Sequence, residues 1–422
     1  MADAAGTTTP QHRTARPGAA VEGRGSWVAA AASLVVLSFS YGSPLLLVVG
    51  LKPIASGLGA DREAVSLAAA LMWIGTGTGG ILMGWLADRI GIRRTVVFGA
   101  TMIAAGLLLS SLGRLWALYV GQGLLMGLLG NGAMMPPLMV YVSRWFEARR
   151  GTALALISSG QYVAGMVWPS VFERAMTDYG WQRAMVGFAA VCAVTIPLIA
   201  LFLYPAPPPH AAEAHADRQR TGRQVLGMPP NLVMALLCVA GFCCCIPMAL
   251  PQSHLVAFCT DVGITPTSSA LMLSVMTGAA FLSRQFWGWL ADRVGGLPTL
   301  LLGSTCQALA ISAFLMTRSE AGLFAVSAAY GLGFSGIVPA YVLIVRELFP
   351  SSEAAWRVPL VLFVSMGGMA FGSWFAGAIY DHFGFYGPAF ATGVLFNLAN
   401  MTVVGFLVLR RGWGRRLHPA AA

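Results

Sequence analysis

The chain has 422 residues, of which 57% are hydrophobic and 10% charged, with a formal net charge of +10. A soluble domain is about one quarter charged, so this composition, with a mean hydropathy of +0.72 over the whole length, excludes an ordinary soluble enzyme. Apolar runs of spanning length must recur along the chain, and since hydrocarbon tolerates no unpaired backbone N–H or C=O group, those runs are helices; the short alternating segments of a barrel are missing.

In chain order, residues 1–26 form a polar tail. The apolar run after it is too long for a signal-peptide core, so no cleaved leader is expected. Spans are expected near 27–55, 66–86, 95–113, 117–142, 152–174 and 184–204, making an N-terminal half over 27–204. A linker at 205–228, carrying Pro205-Ala206-Pro207-Pro208-Pro209, precedes six more spans near 229–262, 268–291, 298–316, 321–345, 358–380 and 388–410. These make a second half over 229–410, and a tail, 411–422, closes the chain. The spacing predicts an all-α membrane protein of twelve transmembrane helices in two six-helix halves.

Of the 26 lysines and arginines, 19 fall on the side of this layout that holds the tails and the linker. Six (Lys52, Arg62, Arg114, Arg174, Arg183 and Arg318) fall on the other, and Arg284 lies inside a span. Cytoplasmic loops retain positive charge, so both termini are expected in the cytoplasm of a chain resident in the inner or plasma membrane. The basic residues are thereby explained without a nucleic-acid partner. The 7 cysteines lie in apolar runs without metal-ligand spacing, so no metal or other cofactor is expected. The glycine runs at 75–80 and 121–132 lie inside spans and lack the Gly-Lys-Ser/Thr of a phosphate loop, which leaves close helix packing as their explanation.

Gly84-Trp85-Leu86-Ala87-Asp88-Arg89 recurs as Gly288-Trp289-Leu290-Ala291-Asp292-Arg293, an offset of 288 − 84 = 204 residues, closing the second helix of each half. Two parallel repeats follow, related by an axis along the membrane normal. The first copy continues as Ile90-Gly91-Ile92-Arg93-Arg94, and this stretch resembles the loop motif between helices two and three of the major facilitator superfamily. The resemblance implies that Asp88, Arg89, Arg93, Arg94, Asp292 and Arg293 serve gating, pairing across the cytoplasmic gate and with helix ends.

The 16 acids all fall in tails, loops or helix ends by this layout. Arg284 stands eight residues before Asp292, about 12 Å into the membrane at ~1.5 Å per residue. A charge at that depth is costly and normally functional or paired. With no acid at its level, its expected counter-ion is a carboxylate of the cargo, which the planar guanidinium can grip with two parallel hydrogen bonds; snorkelling, or bonds to backbone carbonyls of a broken helix, is the competing use. Tyr41, Gln252 and His254 lie beside helix-breaking Pro44, Pro247 and Pro251 and are expected to complete the pocket with Asn131 and Gln161, although polar packing between helices would explain each of them as well.

Phe39-Ser40-Tyr41-Gly42-Ser43-Pro44, His254-Leu255-Val256, Asp261-Val262-Gly263-Ile264 and Arg284 are similar to the monocarboxylate and oxalate/formate porter branches of that superfamily. The resemblance implies secondary or facilitative transport of a small organic anion by alternating access, with a proton or counter-anion as a further partner, and casts Asp261 as a coupling residue working with Arg284, although straight helices would set the two more than about 10 Å apart in depth and only a bent hairpin would unite them. Leu45 and Ala280 stand where animal monocarboxylate porters carry a lysine and an acid, and helix eleven lacks the oxalate branch's lysine, so a monoanion or a bulkier ligand with one carboxylate fits better than a dianion. The alternative is a superfamily efflux pump for a drug or larger metabolite, though Tyr119-Val120-Gly121-Gln122-Gly123 departs from the drug exporters' helix-four pattern. A ligand sensor would need a long cytoplasmic domain, and no nucleophile, base and orienting residue can be assembled for an enzyme. A monomer is expected.

Overall fold

A computed structural model describes residues 23–146, 149–204 and 224–417. Most of the tails and linker thus lies outside the described residues, as does Glu147. Among those described, the chain is helical and contains no strand. The first half begins with Arg24–Val49 (α1), the short Leu51–Leu58 (α2), Arg62–Ile90 (α3) and Ile92–Ser110 (α4). Its fourth span is composite: Leu115–Tyr119 (α5), a π-helical stretch Val120–Gly130, a 3-10 turn Asn131–Ala133, and Met135–Ser143 (α6). Arg150–Ser158 (α7) and Gly160–Tyr179 (α8) make the fifth span, and Trp181–Ala200 (α9) the sixth. The second half comprises Pro230–Asp261 (α10), Pro266–Val294 (α11), Gly296–Met316 (α12), Glu320–Phe334 (α13) with Ile337–Leu348 (α14) as one broken span, Ser351–Phe383 (α15) and Gly387–Leu417 (α16).

The repeat is written into the turns. Gly59 and Gly263, Gly91 and Gly295, and Gly180 and Gly384 all have positive φ, and each pair is 204 residues apart (263 − 59, 295 − 91, 384 − 180). A left-handed backbone conformation is open to glycine at no steric cost, so equivalent helices stop at equivalent places. The motif copies also make the same contact: Arg89 stacks over Trp85 at 3.8 Å and Arg293 over Trp289 at 4.1 Å.

The glycine runs do pack helices closely. A side chain at Gly75 would strike the Gly123 carbonyl oxygen and one at Gly79 the Leu128 carbonyl oxygen, so α3 lies directly against the backbone of the fourth span. That span's own glycines, followed by Pro136 and Pro137, explain why its hydrogen-bond ladder loosens into π geometry there.

Ten helical stretches among the described residues are long and apolar enough to cross a bilayer. The two spans missing from that set, α7 with α8 and α11, pair antiparallel across the boundary between the halves. The face that each turns to the other half, shielded from lipid, carries Glu173, Arg284 and a run of serines and threonines. Glu173 departs from expectation. The sequence puts it at the end of a span, but the helix runs on to Tyr179 and stops only at Gly180, φ 84°, so Glu173 lies inside it and is buried.

Candidate substrate site and gate

The guanidinium of Arg284 sits between two helix breaks. Its Nη2 donates to Ser158 Oγ at 2.9 Å, at the end of α7, and its Nη1 donates to Tyr162 Oη at 3.2 Å on α8 and to the carbonyl of Ser335 at 3.5 Å, between α13 and α14. All three acceptors are neutral, and no carboxylate pairs with Arg284 among the described residues. A guanidinium has five N–H donors, so Nε–H and one N–H of Nη2 have no partner there.

Tyr162 connects this cation to a cavity of about 80 Å³ between the halves, lined by Tyr41, Gln161, Tyr162 and Gln252 among apolar walls that include Leu45, Met72, Trp73 and Phe334. The Tyr162 hydroxyl accepts from Arg284, and its O–H makes no other bond among the described residues. Tyr41, Gln161, Gln252 and Tyr162 are therefore brought together with Arg284 standing just behind them. Asn131 is elsewhere, buried, accepting from Ser40 Oγ at 2.6 Å within the first half.

His254 does not line the cavity. Its Nε2 lies 2.8 Å from the Ser373 carbonyl and its Nδ1 3.0 Å from Tyr386 Oη. A carbonyl only accepts, so Nε2 carries the proton and Nδ1 accepts from the tyrosine. Burial pushes the Tyr386 phenol up, which keeps that hydroxyl a donor. The ring is thus a satisfied link between α10, α15 and the turn before α16, in place of the expected pocket lining.

Tyr386 leads to a polar cluster that joins the halves. Arg62 Nη1 donates to Tyr386 Oη at 3.0 Å, and Arg62 holds Asp261 with both terminal nitrogens, at 2.5 and 2.9 Å. Lys52 Nζ reaches the same carboxylate at 2.8 Å. The Arg62 guanidinium lies 3.6 Å from the centroid of the Tyr380 ring. Asp381, on α15, accepts from the backbone N–H of Arg62 at 3.2 Å and of Glu63 at 2.6 Å, capping the first turn of α3 from the other half where the helix dipole favours an anion. Glu63 in turn accepts from Trp374 Nε1 at 3.0 Å. All of this lies on the face opposite the arginine-rich loops.

Asp261 is therefore not a partner of Arg284: it ends α10 and is taken by two cations of the first half. Nor does Asp88 pair across the halves. It meets Arg144 at 3.1 Å within its own half, while Arg93 donates to the carbonyls of Ala200 and Leu201 at 3.1 and 2.6 Å, a helix-end contact of the expected kind. Arg94 and Asp88 line a depression of about 630 Å³ formed wholly by the first half, and Asp292 and Arg293 line a matching one of about 370 Å³ in the second.

Sequence reasoning missed Ser158, Tyr162, Ser335, Asp381 and Tyr386, and saw Lys52 and Arg62 only as topological charges. Two cations on the less basic side, each near the end of a span, were the available signal; nothing in one sequence pairs them with an acid two hundred residues away.

Comparison with known proteins identifies the family and the fold. The family model described as Major Facilitator Superfamily matches residues 28–258 and again residues 237–421, one match for each half. The chain is 26% identical over 372 residues to "MFS-type transporter pynF" of Aspergillus niger, covering 84% of this chain and 83% of that one. It is 26% identical over 330 residues to "Monocarboxylate transporter 13" of Rattus norvegicus (76% and 74% covered) and 24% over 327 residues to "Agnestins efflux protein AgnL12" of Paecilomyces divaricatus (76% and 73%). The crystal structure of a point mutant of the nucleoside transporter NupG superposes with a TM-score of 0.72 at 12% identity, over 91% of this chain and 100% of that one, a likeness of fold. With both halves matched, the chain belongs to the Major Facilitator Superfamily and is a multi-pass membrane transporter.

Proposed function

We propose that this transporter moves an organic monoanion with an apolar body across the cell membrane by alternating access, and that Arg284 binds its carboxylate. The observation that carries the reading is a half-buried guanidinium held, among the described residues, only by neutral oxygens, with two N–H donors unused, directly behind the tyrosine that lines the cavity between the halves. A carboxylate reaching those donors would gain charge-assisted hydrogen bonds from Arg284 and a further one from the Tyr162 hydroxyl. Leu45, Met72, Trp73 and Phe334 offer the rest of the ligand only apolar and aromatic contact, with Gln161 and Gln252 to orient it. A single cation suits one carboxylate better than two.

The arginine-rich face is the cytoplasmic one in this reading. The Lys52, Arg62, Asp261, Tyr386 and Asp381 cluster then latches the outer gate, while two ion pairs of the inner face, Asp88 with Arg144 and Glu347 with Arg411, each stay within one half. The apolar walls also favour a larger metabolite as cargo, the basis of the efflux alternative; the two differ in cargo size.

The test is counterflow in liposomes containing the purified chain, with labelled acids graded from lactate to phenyllactate. Saturable exchange of at least one of them, lost in Arg284→Ala, is expected. Exchange that persists in the variant would remove Arg284 from the site.

A further inference from the structure

Ser158, a residue of the first half, holds a cation of the second. The fifth span breaks beside it: α7 ends at Ser158 and α8 begins at Gly160. The Ser158 hydroxyl donates its own proton to the carbonyl of Ala155 at 3.0 Å, so its lone pairs are left for Arg284 Nη2, 2.9 Å away. The break is seated against α1, since a side chain at Gly160 would strike Leu37 and the carbonyl of Leu34. Ser158 is buried and fixed to the first half.

Arg284 is mounted as firmly on the second half. Ser335, at the break between α13 and α14, accepts from Nη1 through its carbonyl, and its hydroxyl lies 2.8 Å from that of Ser283, the residue before Arg284. Trp287 Nε1 donates to the Leu332 carbonyl at 2.6 Å, and a side chain at Gly336 would strike Trp287. The break in the tenth span is therefore clamped to α11 on either side of Arg284.

The contacts between the halves differ in depth. Arg62 with Asp261 and Asp381, and Thr267 with Glu173, tie the halves on the outer side of the cavity. On α11 the cavity-lining Leu273 and Thr277 stand between Thr267 and Arg284, and in the fifth span Tyr162 and Gly165 stand between Glu173 and Ser158. The bond from Arg284 to Ser158 thus ties the halves on the inner side of the cavity, about one helical turn beyond Tyr162.

We infer that Ser158 is a positioning residue of the cargo site, acting from the opposite half. By taking one N–H of Nη2 it orients the guanidinium so that the other, with Nε–H, is left for the carboxylate, and it does so only while the halves meet on the inner side. Cargo is gripped best with that side shut. When the halves part there, Ser158 and Tyr162 leave the guanidinium together, and the grip weakens as the cargo meets the cytoplasm. The inference rests on the carboxylate reading above and adds how that site is switched.

Two measurements on the full chain test it. The first uses no ligand: Leu45→Cys reports on the cavity wall, and an impermeant maleimide is applied to liposomes from either face. From the Arg144 side, adding Ser158→Ala is expected to speed labelling about tenfold, the effect of one hydrogen bond from a charged group. From the Lys52 side it should bring no acceleration. An unchanged rate from the Arg144 side would overturn the inference, and so would equal acceleration from both faces, the mark of a loosened fold.

The second compares half-saturating concentrations of lactate and phenyllactate in counterflow. Ser158→Ala is expected to raise them several-fold with the maximal rate little changed, and Ser158→Thr, which keeps the hydroxyl, to stay near wild type. Unchanged values in Ser158→Ala would contradict the positioning role. Failure of wild type to exchange either acid would count against the carboxylate reading, and labelling from the Arg144 side would then decide whether Ser158 ties the halves.

Discussion

Arg62 and Asp261, 199 residues apart, meet through both terminal nitrogens of the guanidinium and both oxygens of the carboxylate. One begins the second span of the first half and the other ends the first span of the second half, so the pair exists only while the two halves are drawn together on that face. Asp261→Asn is expected to weaken the closed state by the net worth of hydrogen bonds to a charged group, about 1.5–3 kcal/mol, a change of roughly tenfold to a hundredfold in the gate equilibrium. With Leu45→Cys as a reporter on the cavity wall, labelling by an impermeant maleimide applied from the Lys52 side should speed up accordingly. Lys52→Ala should do far less, because that side chain is 39% exposed and an exposed pair contributes about 0–1 kcal/mol. Equal effects of the two changes would show that the bidentate pair does not hold the gate.

Asp381 caps α3 from the opposite half. Its removal in Asp381→Ala should cost about 0.5–2 kcal/mol. Asp381→Asn should cost less, since an amide oxygen still accepts. The check is thermal denaturation of the purified protein, in which the alanine variant should melt lower than the asparagine one.

Tyr162 contributes a hydroxyl to Arg284 and a ring to the cavity. Tyr162→Phe keeps the ring and removes the hydroxyl, so ligand affinity should fall by the worth of one hydrogen bond, about 1 kcal/mol or roughly fivefold, with little loss of folded protein. Affinity measured by counterflow competition checks this; an unchanged value would take the hydroxyl out of the site.

Gly79→Ala would place a methyl group onto the Leu128 carbonyl oxygen, a backbone atom with no freedom to move aside. Overpacking of this kind typically costs about 1–3 kcal/mol. Gly84→Ala, with nothing within 4 Å of the added carbon, is the control. A fluorescence-detected melting curve should separate the two variants, the first well below wild type and the second beside it.

The spans were legible because apolar runs of that length have one physical solution in a bilayer, and the repeat because Gly84 to Arg89 recurs almost unchanged. Arg284 was legible for the opposite reason, as a charge where none is expected. Its neighbours Ser158 and Tyr162 were not, since nothing in a linear sequence says which face of the fifth span crosses the eighth. Asp261 is legible as a candidate, and the rise along straight helices already sets it at a different depth from Arg284; its actual partners, Lys52 and Arg62, are not legible, because nothing in the sequence brings them to it from the other half. Glu173 was placed at a span's end because Glu173-Arg174 interrupts the apolar run, whereas the backbone stays helical until Gly180 can turn it. His254 was found beside helix-breaking prolines and proves to be fully bonded within the second half.

Everything proposed about cargo depends on Arg284 awaiting a carboxylate. A thermal-shift titration of purified protein with graded monocarboxylates, run in parallel on wild type and Arg284→Ala, addresses that dependence without any transport assay. Stabilisation of wild type should grow with concentration as expected for binding to the folded state, about 2.7 kcal/mol at a hundredfold excess over the dissociation constant, and should vanish in the variant. Equal stabilisation of both proteins would mean that the guanidinium does not bind the cargo.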